Sequence, residues 1–129
     1  QRHDDLMGYL DSALSAFYQD LAGHGMSDRV LVATWSEFGR RPRENASVGT
    51  AHGTAAPVFL IGDPVHGGIY GEHPSLAKLD AGRNMGYAVD FRSVYQEILD
   101  GHLEVDAKEV LNASYERLDV LKSTALAAK

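Results

Sequence analysis

Arg29-Val30-Leu31-Val32-Ala33-Thr34-Trp35-Ser36-Glu37-Phe38-Gly39-Arg40 opens the segment whose reading decides the fold, and Gly49-Thr50-Ala51-His52-Gly53 followed by Pro57-Val58-Phe59-Leu60-Ile61-Gly62 closes it. The apolar run from Val30 to Trp35 is short and nearly continuous. It is bounded by Ser27-Asp28 and Gly39, and so predicts a strand covered on both faces, as in a mostly parallel sheet. Pro57 to Ile61 predicts a second strand, stopped by Gly62-Asp63-Pro64. The stretch from Ser36 to Ala56 has neither helical nor strand period and reads as a long loop, a feature of compact domains that is usually functional or disordered. A carboxylate, Glu37, and an imidazole, His52, then sit at the rim of a sheet, where α/β proteins collect their binding groups. They share an edge if the strands are antiparallel and lie at opposite ends if parallel.

Outward from that segment the chain reads as scaffold. Leu6, Leu10, Ala13, Leu14, Phe17 and Leu21 recur at steps of three and four, which predicts a helix with Asp4 or Asp5 as N-cap and Gly23 and Gly25 at its end. Gly67-Gly68-Ile69-Tyr70-Gly71 reads as a short strand or extended turn, and Glu72 to Gly86 as irregular. Asp90 caps a second helix with Phe91, Val94, Tyr95, Ile98 and Leu99 on one face, closed by Gly101. Asp106 begins a short helix through Leu111, Leu118 to Leu121 a small edge strand, and Ser123 to Lys129 a frayed tail.

Composition bounds the function. With 129 residues, 44% hydrophobic and 23% charged, the chain has room for one core. A net charge of −6 argues against a duplex nucleic-acid partner, which requires a basic face to displace counterions. No apolar run approaches the about 20 residues that span a bilayer. With no cysteine, any metal must be held by His, Asp and Glu, a set suited to zinc or a harder divalent ion. Gln1-Arg2-His3-Asp4-Asp5 runs straight into a helical pattern without a charged or apolar leader. The expectation is of a longer parent whose targeting signal would precede Gln1.

Ser36-Glu37-Phe38-Gly39-Arg40, Gly49-x-x-His52-Gly53, Gly68-x-Tyr70-Gly71 and Asp90-Phe91-Arg92-x-x-Tyr95, in that order, resemble an uncharacterised branch of the alkaline phosphatase and sulfatase superfamily, bacterial proteins usually exported by the twin-arginine route. The resemblance covers nearly the whole chain. It implies the C-terminal portion, over residues 1–129, of an alkaline-phosphatase-like domain: α/β, a partial three-layer α/β/α sandwich. It further implies a periplasmic or extracytoplasmic location, a metal-dependent phosphate or sulfate ester hydrolase as parent, and a fragment inactive alone. Catalytic members end a strand in a metal-binding Asp-His pair and place a later metal-binding His before the next strand. The matching positions are Glu37 and Phe38 for the pair and His52 for the later histidine. Phe38 cannot ligate a metal, and Ala51 stands where the branch typically has an Asp before its histidine. The nucleophile segment and an upstream Asp-x-His motif would precede Gln1.

Each residue carries a plainer alternative. His52, flanked by Gly53 and near Gly49, is either a zinc ligand or a histidine bonded to loop backbone. Glu37 is a ligand or general base, or else one half of an ion pair with Arg40 or Arg41 that pins the loop. Arg40, Arg41 and Arg43 read either as an anion pocket for phosphate or sulfate or as a solvated charge run, and only Arg40, fixed in the family-like motif, stands out as anion-binding. Gly39, Asn45, Gly49 and Gly53 read as structural loop residues, with Asn45 bonded to the loop's own backbone. Ser36 reads as a hydrogen-bonding residue, and Trp35 and Tyr70 as core or rim packing. A truncated sheet leaves open edges, so the expected partner is the missing N-terminal part or a second copy. Loss of the Asp-His pair motivates the alternative function, a non-catalytic binding or structural module.

Overall fold

The computed structural model describes residues 2–122, and the tail from Ser123 to Lys129 lies outside the described residues. The apolar steps of three and four do form a helix, α1 (Arg2–Gly23). Because it starts at Arg2, Asp4 and Asp5 lie inside its first turn, where their charge suits the helix dipole, rather than at the cap. Its apolar stripe is barely covered: Leu21 is buried, whereas Leu6, Met7, Leu10 and Phe17 are each about half exposed.

A one-turn 3-10 segment, Ser27–Arg29, leads into β1 (Val32–Ala33), which pairs antiparallel with β4 (Leu60–Ile61) through Val32↔Ile61 and Ala33↔Leu60. The two apolar runs therefore find each other, but as two-residue strands and not in a parallel sheet. The expectation of a strand covered on both faces fails at Ala33 and at Trp35, which is 71% exposed. The long loop also proves to be structured: β2 (Gly39–Glu44) and β3 (Thr50–Gly53) form an antiparallel hairpin. Its period is hidden by Arg40-Arg41-Pro42-Arg43, polar on both faces and holding a proline that only an edge strand tolerates. Gly67 to Gly71 forms no strand, and Tyr70, also exposed, donates its hydroxyl to the His66 carbonyl.

The C-terminal third holds most of the buried residues. Asp90 caps α2 (Phe91–Gly101) by accepting from the Arg92 amide, and Asp106 caps α3 (Ala107–Leu111) by accepting from the Lys108 amide. Ala107, Val120 and Leu121 are buried beside a polar inner face of α2: Ser93, Gln96 and Glu97. Instead of an edge strand at Leu118 to Leu121, there is one antiparallel bridge, Val65↔Leu121, flanked by His66 N to Val120 O (2.8 Å) and Lys122 N to Pro64 O (2.7 Å). Asp63 joins the two ends of the chain. Its carboxylate accepts from the Tyr18 hydroxyl and from Ser27 Oγ (2.6 Å), while its carbonyl accepts from Lys122 Nζ (2.7 Å). The bond from Ser27, then that from Tyr18, holds the Asp63 carboxyl below its ordinary range.

Asp90 also receives Arg92 Nε (2.9 Å) and a terminal guanidinium nitrogen (2.6 Å). The arginine side chain, then the Arg92 amide, pulls the Asp90 pKa from 3.8 to about 2. A carboxyl depressed in the folded state stabilises it above the unfolded value and loses that contribution as pH falls through the folded value. The stability advantage of the native chain over Asp90→Asn is thus expected to be complete above pH 4 and to vanish as pH falls toward about 2. Asparagine retains the cap, so urea midpoints of both proteins across that range isolate the charge. An advantage independent of pH would refute the assignment.

Candidate functional site

The hairpin carries the residues that the sequence marks as chemical. Its register is Gly39↔Gly53, Arg40↔His52 and Glu44↔Thr50, with an irregularity between Arg40 and Glu44. Asn45 closes the turn: its Oδ1 accepts from Ser47 N (2.9 Å) and Gly49 N (3.2 Å), and its amide donates to Gly49 O (2.8 Å). Val48, inside that turn, takes φ 57°. A Cβ on Gly49 would meet only Asn45 Oδ1, at 3.8 Å. Gly39 and Gly53 are different, since a Cβ on either would run into backbone atoms of the facing segment.

The charged residues of the hairpin fall into two groups, one around Phe38 and one around a cavity. In the first group the Phe38 ring stacks on the His52 imidazole, centroids 3.6 Å apart and planes 20° from parallel. The Arg40 guanidinium lies 5.2 Å from the Phe38 centroid, and one terminal nitrogen donates to Thr50 O (2.8 Å). The Phe38 ring therefore meets both the His52 imidazole and the Arg40 guanidinium. His52 is exposed, and its ring nitrogens have no hydrogen-bond partner among the described residues. The backbone-bonded alternative for His52 is thus not what the structure forms. Glu37 is also exposed and makes no hydrogen bond or ion pair among the described residues, so the pairing with Arg40 or Arg41 is absent. Ser36 Oγ donates to Phe38 O (2.6 Å), fixing the entry to β2.

In the second group Arg41 and Arg43 line a cavity of about 450 Å³ together with Ala51, Leu79 and Arg83. The sequence offers Arg41 and Arg43 as part of an anion pocket with Arg40 or as a solvated run, and does not mark Arg83. The hairpin brings them to one cavity with Ala51, the residue before His52 on β3. Nothing in the sequence brings Arg83 to them. Among the described residues no group of three or more His, Asp or Glu is arranged to hold a metal. His24 and His73 each place Nδ1 on a carbonyl, of Asp20 (2.8 Å) and Pro74 (2.9 Å).

The elements define a mixed, α/β protein in the general sense: three helices and two small antiparallel sheets among the described residues, with an arginine-rich hairpin at the rim. The profile of the family described as "Protein of unknown function (DUF1501)" matches residues 1–121, and the chain belongs to that family. Neither a curated protein nor a solved structure matches it. Among the described residues no helix is long and apolar enough to cross a membrane.

Proposed function

We propose that this chain is the C-terminal portion of an alkaline-phosphatase-like α/β/α domain, and that its parent is an exported, metal-dependent phosphate or sulfate ester hydrolase. The observation that carries this reading is His52. It is an exposed imidazole with both nitrogens unengaged, held against Phe38 on a hairpin that also presents Arg40. Glu37, equally exposed and unengaged, supplies a carboxylate three residues before Arg40 in the same stretch. An imidazole and a carboxylate suit zinc chemically, and they make half of the tetrahedral shell it takes. Water or residues from the rest of the domain would complete that shell. When bound, such a metal supplies Lewis-acid polarisation of an ester oxygen. The chain's own part is to orient the imidazole by stacking and to hold a guanidinium beside it for the anionic oxygens. The N-terminal part of the domain, or a second copy, would cover the half-exposed stripe of α1.

One observation favours a second reading, a binding module that kept the fold and lost the metal site. Phe38 occupies the position of a ligand, and its ring covers one face of His52. Metal analysis of the intact protein after purification without chelators, with p-nitrophenyl phosphate and p-nitrophenyl sulfate as substrates, separates the two. The hydrolase reading expects bound divalent metal, and a fall of roughly 100-fold in turnover with loss of that metal in His52→Ala. Metal-free intact protein that is equally inert as wild type and His52→Ala would leave the binding module standing.

A further inference from the structure

We infer that the cavity beside the hairpin holds an oxyanion site, formed by Arg41, Arg43 and Arg83, for a phosphate or sulfate group. The site requires no metal and shares no residue with the Glu37, His52 and Arg40 set.

Arg41, Arg43 and Arg83 line one cavity of about 450 Å³ whose wall is mostly carbon, and Glu44 is the single acidic residue in that lining. Among the described residues none of the three arginines has a carboxylate within ion-pair distance. Asp80, on the Arg83 loop, is already engaged, accepting from Asn84 N (2.8 Å) and Asn84 Nδ2 (3.0 Å). Those bonds are what chiefly hold its carboxyl below the ordinary range, and the charge of Arg41 contributes least. Arg41 Nε is buried with no acceptor, a state that costs free energy when a donor is removed from water. Like charges gathered in a concavity with apolar walls, here Leu79 and Ala51, focus a positive potential.

The backbone that carries the arginines is also held in place. Arg41 and Arg43 lie in the irregular stretch of β2 between Arg40 and Glu44, and both line the cavity. Arg83 sits at φ 62°, an uncommon conformation outside glycine, in a loop pinned at three points. Leu79 bridges Met85, Arg83 N donates to Asp80 O (2.9 Å), and Thr54 Oγ1 donates to Met85 O (2.7 Å). The last bond ties the loop to the segment after β3. Guanidinium forks carried on two converging elements suit the several oxygens of a tetrahedral oxyanion.

The test is calorimetric titration of the full chain, treated with EDTA, with sulfate and with phosphate at constant ionic strength adjusted with chloride. Saturable binding is expected, weakened about tenfold by Arg41→Gln and by Arg83→Gln, since each removes a charged multidentate donor. Lys108→Gln, on α3, and His52→Ala should bind as wild type. The His52 variant separates this site from the metal reading, which can fail while this one stands. Phenyl phosphate binding more tightly than phosphate would show that the apolar wall takes an ester's organic group, and equal affinity that the site takes the oxyanion alone. Circular dichroism checks the fold of each variant, and because Arg83 is an exposed loop residue its variant keeps the test open if Arg41→Gln misfolds. Absence of saturation, or undiminished binding in folded Arg83→Gln, would overturn the inference.

Discussion

Gly39→Ala is expected to destabilise the protein by about 3 kcal/mol or more, the upper end of what overpacking does. A Cβ built on Gly39 falls 1.9 Å from the Ala55 carbonyl oxygen, 2.3 Å from its carbon and 2.7 Å from its nitrogen. These are backbone atoms of a buried residue, so no rotamer change relieves the overlap, and the segment after β3 must move bodily. Gly53, its register partner, is similarly placed: an added methyl carbon there would lie 2.7 Å from Arg40 C and 2.8 Å from Arg41 N. The pair lets two backbones approach as no other residue would allow, and that approach aligns Arg40 opposite His52. Gly8→Ala supplies the contrast. Gly8 lies within α1 with nothing within 4 Å of the added carbon, so alanine should stabilise it by up to about 1 kcal/mol through helix propensity. Urea unfolding of both variants measures the difference, and a Gly39→Ala protein within roughly 0.5 kcal/mol of wild type, the error of such comparisons, would sink the close-approach argument.

What the sequence makes legible divides along physical lines. Caps and periodic stripes are local, and the reading of α2 from Asp90 and of α3 from Asp106 follows from side chains bonding to amides two residues on. Register is not local. Nothing about Val32 or Ile61 alone says that they pair, and only the structure shows the antiparallel arrangement. The hairpin is illegible for a different reason: strand periodicity reports a buried face, and in β2 only Gly39 is buried. Pairing there is held by glycine close approach and by the Asn45 turn, neither of which leaves an apolar pattern. Trp35 and Tyr70 read as packed because aromatic area normally drives burial, yet no facing layer covers them among the described residues. At the rim, motif resemblance points to His52 and Arg40, but it makes Phe38, whose ring meets both, only a lost ligand. In the structure it is the surface on which both rest. The convergence of Arg83 on Arg41 and Arg43 depends on a loop fold that no spacing encodes.

Glu97→Ala is the second substitution expected to have a large effect, because the inner face of α2 holds the C-terminal segment by side-chain bonds to backbone in addition to the packing of Leu121 on Gly101. Glu97 is 2% exposed, and its Oε1 accepts from Leu118 N (2.9 Å) and Asp119 N (3.3 Å). Beside it, Gln96 accepts from Tyr115 N (2.7 Å) and donates to Tyr115 O (2.9 Å), as a neighbouring strand would. Asp119 sits at φ 51°, a conformation that outside glycine persists only when its surroundings impose it. Removing the carboxylate leaves two part-buried amides without an acceptor, at about 1–3 kcal/mol each, so a loss of about 2–4 kcal/mol is expected, overlapping backbone relaxation included. Glu97→Gln keeps an acceptor oxygen and should lose only about 1 kcal/mol. The ion pair with Arg117 Nε is long, 3.7 Å, and its arginine is 61% exposed, so Arg117→Ala should change stability by less than about 1 kcal/mol. The order Glu97→Ala, Glu97→Gln, Arg117→Ala therefore distinguishes amide acceptance from charge pairing as the force that seats Val120 and Leu121. If Arg117→Ala proves as costly as Glu97→Ala, the salt bridge carries the contact and the amide argument fails.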